Sequence, residues 1–347
     1  MSPSATATPP SVWQLLRRNR LALLSMGVLA FITLAAIFGP MLMPPSAAEV
    51  SNNQLAPPSW EHPFGTDLHG QDLLYRVLTG ARVSLAVGCA GALVALFIGT
   101  AYGLVSGYAG GAVDNLMMRF VEILYAVPRL IILLISINIF DQRMESLLLR
   151  LGFTELLGYT RIIILILSLG CIEWLTMARI VRGQVLALRS QQFVTAAKGL
   201  GQSHFRILTR HLLPNLMGIV IIYLTLTVPS VILDESFLSF LGLGIQPPQA
   251  SWGSLLAIGA GEINPVKSNW WLLVFPAAAM SITLLALNFL GDALRDALGQ
   301  LKDVPSVVYG SVSFNPETRR VEDPRDARLV VSDGAFKLWD GTPVASR

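Results

Sequence analysis

Five ionisable residues interrupt otherwise apolar stretches of this sequence: Glu122, Arg129, Glu173 and the adjacent pair Asp234 and Glu235. Charge at membrane depth is costly and marks either a protein partner or a water-filled path. Glu122 and Arg129 are seven positions apart, which on one helix puts them near one face. Arg129 is therefore expected to pair with Glu122 or Glu173. Two readings stand for the set, a polar lining of a translocation path and a structural ion pair that fixes helix packing. No clustered His/Glu metal set and no nucleophile motif falls within the apolar runs, so neither a catalytic nor a metal site is expected. The two cysteines, Cys89 and Cys171, match no metal or redox spacing, and for His62 and His69 a nickel or peptide contact stands beside the commoner reading as solvated loop residues.

The elements that carry these charges are set by composition. Of 347 residues, 53% are hydrophobic and 14% charged, against roughly 25% charged in a soluble domain. The bilayer is the natural solvent for such a chain. Runs of roughly 20 apolar residues occur about six times: Leu21 to Met43, Val83 to Tyr108, Leu116 to Phe140, Ile162 to Met177, Met217 to Leu241 and Trp270 to Leu290. The first lacks a small-residue cleavage site and reads as a retained helix. Small residues in the second, with Gly99 and Gly103 four apart, permit close helix approach, within the chain or to another subunit. The expected class is an all-α polytopic membrane protein in a lipid bilayer, with no nucleic-acid partner.

Orientation follows the lysines and arginines. Arg17, Arg18 and Arg20 precede the first helix, six basic residues lie between Arg179 and Arg210, and Arg295 and Lys302 follow the last. These three groups read as cytoplasmic, with both termini inside. The opposite loops are poorer, holding Arg76 and Arg82, then Arg143, Arg150 and Arg161, then Lys267 alone. Pro44 to Thr79 and Gly242 to Asn269 read as polar loops. In the hydrophilic tail, Ser306 to Phe314 and Leu329 to Val331 are β-prone, and disorder and a strand pair are equally open.

The stretch Ala178 to Asn215 stands out. It reads as two short amphipathic helices, capped by Ser190 and Ser203, with a break at Gly199-Leu200-Gly201 and an interruption at Pro214. A helix pair this short does not fold alone. Its apolar face needs a partner, and pattern alone leaves a protein surface and the membrane interface both open.

Phe193-Val194-Thr195-Ala196-Ala197-Lys198-Gly199-Leu200-Gly201, followed by His211-Leu212-Leu213-Pro214-Asn215, resembles the EAA loop of ABC importer permeases. Thr195 stands where that family usually has Glu. Further segments are similar to the dipeptide/oligopeptide/nickel permeases: Gly65-Thr66-Asp67-Leu68-His69-Gly70-Gln71-Asp72, with Gln71 for the usual Arg; Ala178-Arg179-Ile180-Val181-Arg182-Gly183; Leu238-Ser239-Phe240-Leu241-Gly242-Leu243-Gly244 through Trp252-Gly253; and Asn288-Phe289-Leu290-Gly291-Asp292. The resemblance covers roughly residues 12 to 300 and points to the C-type subunit, which carries an extra N-terminal helix.

The resemblance implies a non-catalytic permease subunit that moves solute by alternating access. The last five helices would form the MetI-like core over residues 79–300, preceded by a cytoplasmic segment (1–19) and by the first helix with its outer loop (20–78), and followed by a polar tail (301–347). The coupling residues it implies are Phe193, Thr195, Ala196, Ala197, Lys198, Gly199, Gly201, Arg206 and Pro214, docking on a cytoplasmic ATPase. Glu235 occupies a position where the family usually has Glu, whereas Arg129 has no counterpart there. The implied partners are a second permease chain, one or two ATP-binding subunits and an extracytoplasmic substrate-binding protein, in the cell inner membrane. No Gly-x-x-x-x-Gly-Lys-[Ser/Thr] loop occurs in the sequence, so ATP and Mg are expected on partner chains and no cofactor on this one. Peptides are the favoured solute, with nickel or another small solute as the alternative. The rival from another class is an ion-gradient-driven secondary transporter, which needs no EAA loop and no ATPase.

Overall fold

The computed structural model describes residues 12–263, 268–302 and five strand segments between 308 and 338. Residues 1–11, Lys267 and Ser306 lie outside the described residues. Two units are distinguished, residues 20–292 and residues 1–19 with 293–347.

The larger unit is helical. Helix α1 (Val12–Arg18) precedes it. It then comprises α2 (Arg20–Leu42), α3 (Leu73–Ala109), α4 (Gly111–Ala126), α5 (Arg129–Arg150), α6 (Thr160–Leu188), α7 (Gln192–Gly199), α8 (His204–Phe240) and α9 (Trp252–Gly261), and it takes in the start of α10 (Trp271–Lys302). Among the described residues five helices are long and apolar enough to cross a bilayer, and the bent pair α4 and α5 makes a sixth if it counts as one span. An all-α membrane unit with about six spans is what composition and run length predict.

The spans differ from the apolar runs in informative ways. The expected continuous helix Leu116 to Phe140 is broken, with α4 and the first part of α5 meeting at 88° around Val127 and Pro128. Proline removes a backbone donor and disfavours the α region for the residue before it, and Val127 is extended at φ −80°, ψ 130°. Glu122 and Arg129 therefore do not share a helix face.

Helix α3 begins ten residues before the apolar run and absorbs Arg76 and Arg82, which read as loop charges. Each has a local answer. Asp72 caps the helix by accepting from Leu74 N and Tyr75 N, and Arg76 Nε lies 3.6 Å from Asp67. Arg82 donates to the carbonyls of Ala36 and Ile37 in α2. Pro40 inside α2 lacks the N–H that would bond the Ala36 carbonyl, so Arg82 satisfies an acceptor that hydrocarbon cannot.

Helix α6 likewise runs past Met177 because Arg179 stacks over the Tyr125 ring at 3.5 Å and Arg182 meets Asp114. The second expected loop, Gly242 to Asn269, contains α9, started by a reciprocal cap in which the Ser251 and Ser254 hydroxyls each accept the other's backbone N–H.

Glycines set how closely the spans approach. An added Cβ at Gly103 or Gly107 of α3 would lie 2.8 Å from Cβ of Val181 or Val185 on α6. The small-residue face of α3 is thus spent within the chain, where sequence alone left another subunit open. A second apolar core joins α2, α3, α8, α9 and α10 around the fully buried Trp252.

In the smaller unit, strands β1 (Val308–Tyr309), β2 (Val312–Asn315), β3 (Arg320–Asp323), β4 (Asp326–Ser332) and β5 (Ala335–Leu338) pair antiparallel in chain order. The tail thus exceeds the expected strand pair. Leu329 pairs with Leu338 and Val331 with Phe336.

Candidate functional site

The connection between α6 and α8 is the first candidate. Helix α7 does not use Ser190 as its cap: Gln191 holds that position, and the Ser190 hydroxyl donates instead to the Ala187 carbonyl in the preceding turn. A hydroxyl that bonds back to a nearby carbonyl is not available to an N-terminal N–H. Helix α7 ends as glycine demands. Gly201 has φ +73°, Leu200 N donates to Ala196 O, Gly201 N to Lys198 O and Gln202 N to Ala197 O at 2.9–3.1 Å. These bonds satisfy the last carbonyls of the helix, and the left-handed backbone is open to glycine without strain.

Ser203 caps the next helix by accepting from Arg206 N. That helix is not a short separate element. It runs through a π turn, Ile207–Leu212, straight into the membrane span. Pro214 sits at its first turn and does not interrupt it. The wider turn just before the proline leaves room for the ring, which in a regular helix clashes with the carbonyl four residues back.

Val194 and Ala197 of α7, with Ile207 and Leu212 of α8, are buried against Val181 and Val185 of α6 and Leu104 of α3. Thr195, Ala196, Lys198, Gly199, Gly201 and Arg206 remain exposed, and so do Phe193, Leu200 and Phe205, at 39%, 81% and 75%. The loop is therefore held rigidly from beneath and presents three large apolar side chains flanked by two cations. Leu200 and Phe205 were not among the expected coupling residues. Their signal was an apolar residue inside the glycine break, Leu200, and another just after the Ser203 cap, Phe205.

The corner between α3 and α4 braces this loop. Tyr108 OH lies 2.8 Å from His204 Nδ1, Lys198 Nζ stands 5.0 Å over the Tyr108 ring, and Arg189 Nη1 donates to Gly107 O at 3.1 Å. Arg182 grips Asp114 through two bonds, 2.6 Å from Nε and 2.7 Å from Nη2, and the Ser106 hydroxyl also donates to Asp114. This clamp ties α3, α4 and α6 together. Of its members only Arg182 was named from sequence, as a basic residue of a family-like segment, and Asp114 and Ser106 were not.

Within the spans the structure divides the five charged residues into three settings. Arg129 Nη2 donates to both Glu173 on α6 and Asp234 on α8. Glu122 is exposed on α4, and among the described hydrogen bonds none joins it to Arg129. Glu235 is fully buried and faces away into a hydroxyl nest. Ser84 Oγ donates to its Oε2 at 3.0 Å and Ser239 Oγ to its Oε1 at 2.7 Å. Those hydroxyls accept in turn from Trp252 N and Ile245 N. Glu235 thus pins both ends of the connection between α8 and α9. Its burial without a cation is tolerable because both carboxylate oxygens are hydrogen-bonded. Among the described residues no group of three or more metal-binding side chains occurs, and His62 pairs with Asp72 at 2.9 Å.

Known proteins share this arrangement of segments. Residues 99–303 match the family described as binding-protein-dependent transport system inner membrane component, and residues 11–58 match the N-terminal transmembrane domain of oligopeptide transport permease C. The dipeptide transport system permease protein DppC of Bacillus subtilis (strain 168) is 43% identical, covering 82% of this chain and 83% of that one. The oligopeptide transport system permease protein OppC of Escherichia coli (strain K12) is 45% identical, covering 83% and 91%. OppC of Haemophilus influenzae is 43% identical, covering 83% and 88%. A solved structure of the MetNI methionine ABC transporter in inward-facing conformations aligns with a TM-score of 0.47 at 17% identity, over 65% of this chain and 97% of that chain. The matches bear out the resemblance carried by the loop and its flanking segments, and this multi-pass chain belongs to the family of binding-protein-dependent transport system inner membrane components.

Proposed function

We propose that this chain is one of two permease subunits of a peptide importer in the cell inner membrane, with both termini in the cytoplasm. In this reading α7 and the start of α8 dock on a cytoplasmic ATPase subunit. ATP and Mg bind that partner, and a binding protein delivers the solute from the opposite side. The observation that carries the reading is the rigidly backed loop, where Phe193, Leu200 and Phe205 are exposed between Lys198 and Arg206 on a base of buried Val194, Ala197, Ile207 and Leu212. A surface of this kind suits a groove with apolar walls and an acidic rim. Relatives named for dipeptide and oligopeptide transport support a peptide as the solute.

Mechanically, α7 is joined to the spans through two stiff contacts, the α6 packing and the α3–α4 corner, so a push on the loop moves α3, α4 and α6 together. Alternating access then needs two arrangements of these helices against the second permease chain, each favoured by a different nucleotide state of the ATPase. The test is purification of the tagged chain from its native membranes in mild detergent. Recovery of a second permease and an ATP-binding subunit, with ATP-dependent peptide uptake after reconstitution, supports the reading. A chain recovered alone that moves solute under an ion gradient would replace it.

A further inference from the structure

The Arg129 cluster is built unlike a closed structural ion pair. One guanidinium nitrogen, Nη2, serves two carboxylates from two different helices, Glu173 Oε1 and Asp234 Oδ2. The described bonds leave Nη1 and Nε of Arg129, Oε2 of Glu173 and Oδ1 of Asp234 unengaged. Formally the cluster carries two negative charges and one positive. Arg129 is 42% exposed, whereas the acids are 11% and 19% exposed. The cluster is thus open on the arginine side and carries a surplus negative charge.

Its depth makes this openness meaningful. Glu173 lies in α6 13 residues after Thr160, about 20 Å from the helix start at 1.5 Å per residue, inside the apolar run Ile162 to Met177. Charge at that depth does not face hydrocarbon and meets protein or a water-filled path instead. Arg129 is the first residue of α5, at the 88° break, where the chain turns away and leaves the cluster uncovered. Two cavities flank it. One, of about 290 Å³, is lined by Arg129 and Glu173 with Tyr125, Pro128 and Thr176. The other, of about 350 Å³, is lined by Asp234 with Ser236, Phe237 and Met280.

We propose that Arg129, Glu173 and Asp234 form a subsite that receives the N-terminal end of a peptide during passage, the carboxylates taking its α-ammonium group and the guanidinium its first carbonyl. An ammonium has three donors and no acceptor, matching the two unengaged carboxylate oxygens and cancelling the surplus charge. The unengaged guanidinium nitrogens supply the donors that a peptide carbonyl needs. Every peptide with a free N-terminus carries this pair of groups, so the subsite reads the backbone and ignores the side chains. This inference rests on the peptide-import reading.

The experiment uses the complete importer complex in lipid nanodiscs, without nucleotide and without binding protein, titrated with trialanine and N-acetyl-trialanine. Wild type is expected to bind trialanine at least about tenfold more tightly, the scale of one charge-assisted contact. Glu173→Gln combined with Asp234→Asn is expected to bring the ratio to about one. In wild type, propylamine is expected to displace trialanine and acetate to leave it bound, a measurement that needs no variant to fold. Equal affinities in wild type, a ratio that survives the double substitution, or displacement by acetate alone would each overturn the subsite. ATP-dependent peptide uptake alongside such a result would leave the import reading standing, whereas uptake of neither peptide with any binding protein present would remove the reading itself.

Discussion

At the residue scale, the side chains that matter most are those whose polar groups have only one partner set open to them. Asp114 is nearly buried and held in a two-bond grip by Arg182. Asp114→Asn keeps the shape but leaves the arginine without its counter-charge, and breaking such a pair costs about 3 kcal/mol. A lowered unfolding temperature of the purified complex checks this, and Asp114→Glu is expected to recover part of the loss. Gly201 is constrained by backbone rather than by space. No atom crowds a Cβ there, but its φ is +73°. Proline fixes φ near −65° and removes the N–H that bonds Lys198 O. Gly201→Pro is therefore expected to raise the ratio of ATP hydrolysed to peptide transported by about tenfold, equivalent to 1.4 kcal/mol of lost coupling. Thr195 is exposed and, among the described hydrogen bonds, its hydroxyl donates to Gln191 O, so Thr195→Glu is expected to leave that ratio unchanged.

At the element scale, sequence showed where apolar runs lie and missed where helices end. Run length reports the span that hydrocarbon covers, whereas a helix continues as long as its polar groups find partners. Arg76 meets Asp67 nine residues back, whereas Arg82, Arg179 and Arg182 each found a partner on a distant segment, as when Arg82 reaches carbonyls 45 and 46 residues back. No local pattern encodes such partners. The break at Pro128 was not legible from the proline alone, since Pro40, Pro229 and Pro276 lie inside apolar runs whose helices continue. The Ala-Ala, glycine and Leu-Pro spacing of the loop was fully legible because it is local. The clamp of Asp114 was not, because its arginine lies 68 residues away. The link between Pro40 and Arg82 gives an element-scale test. Arg82→Leu leaves the Ala36 carbonyl without a donor and is expected to cost about 2 kcal/mol. In the Pro40→Ala background residue 40 regains its N–H, so the same substitution is expected to cost about half as much. Thermal unfolding of the four proteins in one detergent checks the cycle.

At the scale of the whole molecule, the packing uses up some surfaces and leaves others. The glycine seam of α3 is closed against α6, and Glu235 is sealed beneath α9. What remains open is the face bearing the Arg129 cluster and, at the end where α6 turns into α8, the loop that carries Phe193, Leu200 and Phe205. The buried base of that loop packs on α3 and α6, and the clamp around Asp114 ties α3, α4 and α6 together. In the proposed function this loop is the handle that an ATPase subunit holds to move those helices. The direct measurement is the subunit composition of the complex purified through a tag on this chain carrying Leu200→Asp and Phe205→Asp. Both side chains are exposed, so the fold and the second permease are expected to be retained while the ATP-binding subunit is lost. Full recovery of the ATP-binding subunit, with unchanged ATP-driven uptake, would contradict the account.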